Sequence, residues 1–318
     1  MADHPLVSVI TPTHNRAGLI GRAIKSVQNQ THQDWEHIII DDASTDDTEA
    51  VVRAFQESDD RIVYIKHPEN RNGAAARNTG IRAAKGDYVA FLDSDDEFHP
   101  ETLAKQLAVF ESSDLENLGL VTCGRREVGP GGSEAIKLPK RRGWVRQDVL
   151  GTAPRTGNIG IVHIGFMMKR NSEPIMFDER LAAFQDWDFL ARATAKYQLD
   201  YVPEPLLIVN VQGERVHSAK NVASASEILI EKHSQETPPD GNLLQREHLR
   251  AAGAYFEIGL KRKSLRHVWS GIKTNPKAWR HYHRLALSAF GLDPTLSLGV
   301  MVRMPLHRLL RTPAPSTK

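Results

Sequence analysis

Short apolar segments alternate with helical segments over roughly the first 110 residues, and this alternation restricts the fold more than any other feature. The runs Leu6–Ile10, His37–Ile40 and Asp87–Leu92 are typical of buried strands. Between the first two runs, apolar residues such as Ile20 and Ile24 recur at helical spacing. The alternation predicts an α/β fold with an open, mostly parallel sheet flanked by helices.

The same patterns predict the other elements. We expect the first strand to stop at a loop formed by Thr11, Pro12 and Thr13. The further predicted elements are strands at Arg61–Lys66 and Ile159–Lys169, and helices at Thr48–Glu57, Gly73–Ala84, Gln185–Ala195 and after Pro100.

Polar residues cluster where the predicted strands end, at Thr11-Pro12, Asp41-Asp42 and Asp93–Asp96. Ligands of open α/β sheets bind at the carboxyl ends of the strands. The clusters therefore predict a binding site at this edge of the sheet.

Asp93-Ser94-Asp95 is an Asp-x-Asp motif. In an extended segment both carboxylates would point to the same side, toward one Mg²⁺ or Mn²⁺ ion. Such an ion keeps coordination positions free for the phosphates of a nucleoside diphosphate. The alternative is an acidic turn that caps the helix after Pro100.

Asp42 and Arg77 are two further candidates. Asp42 could accept a hydrogen bond from a base N–H, or it could cap the following helix, although Asp46 and Asp47 fit that cap better. Arg77 follows the turn residues Asn72 and Gly73 and could pair with a phosphate, or it could be an ordinary surface arginine.

Asp186 opens the predicted helix Gln185–Ala195, where the helix dipole favours the ionised carboxylate and allows it to act as a base. An ordinary acidic residue of a first helical turn is the alternative. His217 could be an imidazole ligand of the same metal ion, although most single histidines are not ligands.

Several activities lack their sequence motifs. The chain has no Gly-x-Gly-x-x-Gly after its first strand, no Walker loop, no His-Glu-x-x-His and no Gly-x-Ser-x-Gly. Its single cysteine, Cys123, permits no internal disulfide, which favours a reducing compartment. The longest uncharged run near the C-terminus, Pro294–Val302, is too short to span a bilayer.

The charge is distributed unevenly, although the net charge is only +2 and gives no indication of a nucleic-acid partner. Residues 243–318 carry 14 basic and 3 acidic side chains, whereas the rest of the chain has an acidic excess. This asymmetry predicts a basic helical module at 243–318, joined by a linker at 237–242.

An amphipathic helix is predicted in this module from Leu265, Val268, Trp269 and Ile272, with Arg262, Lys263, Arg266 and Lys273 off the apolar stripe. The stripe could pack on the acidic body, or the helix could lie on an anionic membrane.

Four segments in order resemble the family 2 glycosyltransferases of the GT-A fold. They are VSVITPTHNR (Val7–Arg16), DDASTDDT (Asp41–Thr48), NRNGAAARNTGIRAAKGDYVAFLDSDD (Asn70–Asp96) and QDWDFLAR (Gln185–Arg192). The resemblance covers about two-thirds of the chain. It implies a catalytic domain at 1–236, with a nucleotide-sugar half at about 1–112 and an acceptor half at about 113–236.

The resemblance also implies roles for the candidate residues. The Thr11-Pro12 backbone and Asp42 would bind the base of a nucleotide-sugar, usually linked to UDP, and Arg77 would contact the base or diphosphate. Asp93 and Ser94 would lie near the donor, and Asp95 would ligate Mg²⁺ or Mn²⁺, with His217 near that metal. Asp186 would be the general base of an inverting transfer to a carbohydrate or lipid-linked acceptor.

The chain departs from the family at two points. The family often has Glu-Asp where this chain has Gln185-Asp186, which affects acceptor contacts rather than the base. The Gln-x-x-Arg-Trp motif of processive members is missing, so a single transfer is expected, in cell-surface polysaccharide or glycoconjugate synthesis. A cytoplasmic location, at most peripheral at the inner membrane face, is also expected.

Two alternatives stay open. A nucleotidyltransferase would use a similar sheet and Mg²⁺, but would normally have a Gly-rich basic loop after the first strand. A non-catalytic partner subunit would have lost catalytic residues, whereas Asp93, Asp95 and Asp186 are present.

Overall fold

The computed structural model describes residues 5–151, 165–170, 174–211, 218–236 and 240–275. The chain divides into two compact units, 1–179 with 184–214, and 180–183 with 215–318. The second unit continues from residue 215, which lies well before the predicted linker at 237–242. The boundaries at 236 and 243 therefore stay predictions.

The described part of the first unit contains nine strands. They are β1 (Val7–Thr13), β2 (Trp35–Asp41), β3 (Ile62–Lys66), β4 (Tyr88–Phe91), β5 (Glu97–Phe98), β6 (Leu118–Val128), β7 (Glu134–Lys137), β8 (Met167–Lys169) and β9 (Gln198–Asn210).

The described helices of both units are α1 (Ile20–Gln28), α2 (Thr48–Ser58), α3 (Asn72–Ala83), α4 (Thr102–Ser112), α5 (Arg146–Gly151), α6 (Gln185–Lys196), α7 (Ala219–Ser234), α8 (Gly241–Glu257) and α9 (Lys261–Thr274). α1 to α6 belong to the first unit, and α7 to α9 to the second.

The strands form one sheet in the order β3-β2-β1-β4-β8-β6-β9-β5, and β7 pairs with β6. The first four strands of that order are mutually parallel, and β8 joins β4 antiparallel. Every residue of β2 is buried, as expected for a central strand covered on both faces. The predicted α/β fold with helices flanking a mostly parallel sheet is confirmed.

β1 is longer than the sequence predicted. The expected loop at Thr11, Pro12 and Thr13 is wrong, because these residues continue the parallel pairing with β2. The backbone N–H of Leu92 donates to the carbonyl oxygen of Ile10. The backbone polar groups of residues 10 and 12 of β1 therefore point toward β4. Since β4 ends opposite Ile10, the missing N–H of Pro12 leaves no ladder bond unmade.

The other predicted elements of the first half are confirmed within one or two residues at each end. Asp46 is the residue whose carboxylate accepts from the Thr48 backbone at the start of α2, whereas Asp47 makes no side-chain cap. The strand predicted at Ile159–Lys169 is confirmed only for Met167–Lys169, because residues 159–164 lie outside the described part.

In the second unit, the described helices pack against each other mainly through alanine side chains. Ala223 of α7 packs with Ala251, Ala254 and Tyr255 of α8, and Val268 of α9 packs with Ala252. The helix predicted around Leu265 is confirmed. Its predicted apolar stripe is partly wrong, because the Trp269 side chain is 61% exposed. No helix among the described residues is long and apolar enough to cross a bilayer.

Candidate functional site

The polar clusters lie at one edge of the sheet because β1, β2 and β4 run parallel. Thr13 pairs with Asp41 at the ends of β1 and β2, and Ile10 pairs with Phe91 at the end of β4. The residues that follow these strands start the loops at that edge. The predicted position of the site is therefore supported by the strand directions.

Thr11 and Pro12 contribute differently to this edge. The Thr11 side chain is fully buried, and its Oγ1 lies 2.9 Å from Nε2 of His37. Burial lowers the pKa of His37 to about 3, so the ring is neutral and structural. Pro12 is partly exposed at the edge.

Asp42 is buried and holds the loop ahead of α3. Its Oδ1 accepts a 2.9 Å hydrogen bond from the Arg71 amide and lies 2.8 Å from Nδ1 of His67. Its Oδ2 accepts from the Asn72 amide at 2.7 Å. It does not cap α2. A carboxylate has about four acceptor positions, so Asp42 retains capacity for roughly one further donor.

Arg77 joins two parts of the chain that are far apart in sequence. Its Nη2 donates to Oδ1 of Asp93 at 2.7 Å, and its Nη1 donates to Oε1 of Gln185 at 3.2 Å. The guanidinium lies 5.5 Å from the ring centroid of Phe177, and the Arg77 side chain is 11% exposed. The end of β4 and the start of α6 therefore meet at one guanidinium.

The Asp93–Asp96 segment is a turn and not an extended strand. The amide of Asp96 donates to the oxygen of Asp93 at 3.1 Å. The extended geometry from which the sequence placed both carboxylates on one side is therefore wrong, since Asp and Ser favour turns. That Asp93 and Asp95 act on one metal ion stays a prediction. Asp93 pairs with Arg77, whereas Asp95 lies 4.0 Å from Nη2 of Arg16. Ser94 is buried between them.

The acidic turn concentrates negative charge in a poorly solvated place. Burial, and then the Asp93 charge, raise the pKa of Asp95. Burial and both neighbouring carboxylates raise the pKa of Asp96 well above its usual value. Asn210 stabilises the turn, since its backbone N–H donates to Oδ1 of Asp96 and its side-chain Nδ2 donates to the Asp95 carbonyl. A cation near Asp95 would relieve this repulsion.

The candidate metal ligands at this turn suit a hard divalent cation. No group of three His, Cys, Asp or Glu side chains among the described residues could enclose an ion. Mg²⁺ and Mn²⁺ suit hard carboxylate oxygens, and Mg²⁺ commonly binds through one or two carboxylates together with substrate phosphates. Asp95, with a side chain 27% exposed, fits that mode.

Asp186 and Asp188 lie in the first turn of α6 but differ in environment. Asp188 is buried and pairs with Arg192 at 2.8 Å. Asp186 is partly exposed, and within the described residues no hydrogen bond or ion pair engages its carboxylate. It adjoins Gln185, which binds Arg77. Asp186 is thus the carboxylate of this motif that is open to a substrate.

Two polar residues that the sequence analysis did not single out support the site. Asn78 of α3 is 2% exposed and bonds both the amide and the carbonyl of Phe177. Glu179 accepts from Asn78 at 2.9 Å and from Arg71 at 3.0 Å. The sequence signal for Asn78 was an amide side chain within a helix made mostly of small residues. The predicted metal ligand His217 lies outside the described residues.

Comparison with protein families gives a match that covers about half of the chain. The model described as "Glycosyl transferase family 2" matches residues 8–172, which include the ends of β1, β2 and β4.

Curated relatives agree with this match. An "Uncharacterized glycosyltransferase" of Methanocaldococcus jannaschii is 31% identical over 221 residues, 64% of this chain and 70% of that protein. The "GalNAc(5)-diNAcBac-PP-undecaprenol beta-1,3-glucosyltransferase" of Campylobacter jejuni is 48% identical over 94 residues, 29% of this chain. The chain spans only 30% of the Campylobacter protein, and as little as 16% of another relative.

Among solved structures, S. aureus TarS in complex with UDP-GlcNAc has the same fold. It superposes with a TM-score of 0.65 at 17% identity, over 91% of this chain and 88% of that chain.

Proposed function

The chain belongs to glycosyl transferase family 2, and we propose that it transfers one sugar from a nucleotide-sugar, expected to be UDP-linked, to an acceptor hydroxyl. The observation that carries this proposal is the Arg77 guanidinium. It binds the Asp-x-Asp turn through Asp93 and the start of α6 through Gln185, next to the open carboxylate of Asp186.

The donor is proposed to bind along the ends of β1, β2 and β4. The Pro12 backbone and Asp42 would contact the base, with Asp42 also fixing the 71–72 loop. Asp93 and Ser94 would lie near the ribose. Arg77, a mostly buried cation, would approach the diphosphate. TarS, which shares the fold, is solved with UDP-GlcNAc, which supports a UDP-linked donor.

Asp186 is proposed as the general base. Its carboxylate takes the proton of the acceptor hydroxyl as that oxygen bonds to the sugar C1. The bond from C1 to the phosphate oxygen breaks on the opposite face, and its electrons leave with the nucleoside diphosphate. Attack opposite the leaving group inverts the anomeric centre. The role needs a carboxylate without a protein partner, and Asp186 meets this requirement among the described residues.

Arg77 and Asp95 act on the leaving group. Each Nη nitrogen of Arg77 uses one of its two N–H groups on Gln185 or Asp93, so one N–H on each would remain for the developing phosphate charge. Asp95 would hold the Mg²⁺ or Mn²⁺ ion, which supplies positive charge to the diphosphate. His217 remains a proposed further ligand.

The acceptor is proposed to be a carbohydrate or a lipid-linked sugar in cell-surface polysaccharide or glycoconjugate synthesis. The name of the Campylobacter relative includes an undecaprenol-linked acceptor, which supports the lipid-linked alternative. The protein is proposed to be cytoplasmic, as expected from the sequence, with peripheral contact at the membrane.

The test measures nucleoside diphosphate release from a panel of UDP-sugars and GDP-mannose, with Mg²⁺, Mn²⁺ or EDTA. We expect metal-dependent release with one preferred sugar. Asp186→Asn keeps the shape but removes the base, and we expect its turnover to fall about 100-fold or more.

Asp60→Asn provides the matched control. Asp60 is an exposed residue between α2 and β3, at the opposite edge of the sheet, and this variant should keep wild-type turnover. Release of pyrophosphate would support a nucleotidyltransferase instead. Equal turnover of the wild type and Asp186→Asn would reject the assignment of the base.

A further inference from the structure

α9 has a packed side and a cationic side. Ser264, Val268 and Gly271 are buried, and Val268 packs with Ala252 of α8. α9 therefore packs on α8 through Val268, and Trp269 lies outside this contact. Packing of the stripe on the acidic body stays a prediction.

The exposed side contains Trp269 and three cations. Arg262, Arg266 and Lys273 lie seven and three residues before and four residues after Trp269, so the four side chains fall within about 60° around the helix axis. Nζ of Lys273 lies 5.6 Å from the Trp269 ring centroid. Within the described residues, no ion pair neutralises any of these three cations. We call these four residues the cationic face.

The rest of α9 adds to this charge. Lys261 and Lys263 are also exposed, and the helix contains no acidic residue. The sequence after α9, residues 276–318, carries seven further Lys or Arg and one Asp. The cationic face is therefore continuous in sequence with a strongly basic segment.

We infer that the cationic face of α9 binds the surface of an anionic lipid bilayer. Indole prefers the interface between headgroups and acyl chains, because it has an apolar ring and one N–H donor. Arg and Lys beside it would contact the lipid phosphates while their stems lie on the apolar boundary. The combination of one exposed Trp and three unpaired cations on one helical face suits this surface.

A nucleic acid is the other polyanion to consider. Its binding sites distribute many cations along a phosphate backbone, whereas the whole chain has a net charge of only +2. The exposed indole beside three cations favours the bilayer. The inference does not depend on glycosyl transfer, so it is tested without any sugar substrate.

The experiment uses the full-length chain and vesicles of phosphatidylcholine alone or with about one-third phosphatidylglycerol. We expect sedimentation with the anionic vesicles only, and weaker binding at high salt. Each cation contributes about fivefold to binding, so reversing Arg262, Arg266 and Lys273 to Glu should weaken it at least about 100-fold.

A charge-matched variant separates this face from net charge. It reverses three exposed lysines of the first unit to Glu, namely Lys25, Lys85 and Lys169. The matched variant should bind clearly more tightly than the α9 variant. Equal vesicle binding of the two variants would overturn the proposal. So would an α9 variant that keeps vesicle binding but loses binding to single-stranded RNA.

Trp269 gives a second readout that does not require charge reversal. Brominated lipids quench the fluorescence of an indole that enters the interface. We expect quenching in the wild type and a clear loss of it in Trp269→Phe, at unchanged circular dichroism. Equal quenching in both proteins would place another tryptophan in the membrane and overturn the assignment to α9.

Discussion

At the scale of single residues, Arg77 has the contacts that bring the candidate site together. Asp93 lies 16 positions from it in sequence and Gln185 lies 108 positions away, yet both bind the same guanidinium. The sequence could nominate Arg77 as a cation near the strand ends. It could not pair Arg77 with Gln185, because that contact depends on how the chain returns to the sheet edge.

Replacing Arg77 by Lys keeps the charge but leaves a single nitrogen. Lysine cannot bind Asp93 and Gln185 through two nitrogens in fixed geometry, so we expect kcat/KM for the donor to fall about 10- to 100-fold. Initial rates of nucleotide release over a range of donor concentrations measure this. Arg82→Lys is the control, since Arg82 lies on the same helix with a side chain 54% exposed. Matching losses in the two variants would contradict the role of Arg77.

His37 makes stability depend on pH. Its pKa is lowered to about 3 by burial in the folded chain, and an unfolded histidine has a pKa of about 6.5. The unfolded state therefore binds the proton first as the pH falls. The stabilisation is complete above about pH 6.5 and decreases toward pH 3, with a loss of about 3 kcal/mol between pH 8 and 4.5.

Urea unfolding of the wild type and His37→Asn at a series of pH values tests this. The variant is expected to be less stable at pH 8, because it changes the contact with Thr11. Its free energy of unfolding should then decrease less steeply below pH 6.5. Parallel curves for the two proteins would show that His37 is not the titrating group.

At the scale of elements, α3 approaches β1 closely at Gly80. A Cβ added there would lie 2.4 Å from Cγ2 of Ile10, so the helix or the strand would have to move. We expect Gly80→Ala to destabilise the first unit by about 1–3 kcal/mol, measured by urea unfolding.

Gly21→Ala is the matched comparison on α1. The added Cβ would meet only the Phe55 ring, at an ordinary 3.5 Å. Because Ala favours a helix over Gly, this substitution should be neutral or stabilise by up to about 1 kcal/mol. If Gly80→Ala were as stable as Gly21→Ala, close packing at Ile10 would not be what selects glycine there.

The elements that could be predicted have a clear pattern of apolar residues. β2 and β4 are short apolar runs, and the helices between them repeat apolar residues at helical spacing. β9 could not be predicted this way, since Pro203 and Pro205 argue against a strand. The structure accommodates them with a shift in register opposite Cys123 and Gly124, where β6 pairs with β9.

The candidate site, too, could be predicted only in part from the sequence. The strand ends and the opening of α6 were predictable from local pattern. A turn at Asp93–Asp96 was one of the two sequence alternatives, but the contact with Asn210 that holds it is tertiary, as are the contacts of Asp42 with His67 and Arg71. Residues distant in sequence supply those contacts, so no local spacing encodes them.

At the scale of the whole molecule, the proposed donor site poses an electrostatic problem. The Asp93–Asp96 turn is acidic, and burial raises the pKa of Asp95 and Asp96, which means that a further negative charge there is costly. A nucleoside diphosphate brings negative charge to this place. Arg77 and a divalent cation at Asp95 would offset it, so donor binding should depend on the metal and stabilise the first unit only.

Hydrogen exchange followed by mass spectrometry can measure the stabilisation by donor binding separately in each unit. UDP with Mn²⁺, at about 100 times its dissociation constant, should slow the most protected amides of the first unit by up to about 100-fold. Amides of α8 in the second unit, which has its own core of Ala251, Ala254 and Tyr255, should exchange at unchanged rates. Asp95→Asn should lose the part of the protection that requires Mn²⁺, and Asp60→Asn should keep it. Protection that is equal in both units, or independent of Mn²⁺ in the wild type, would contradict a metal-assisted donor site at the ends of β1, β2 and β4.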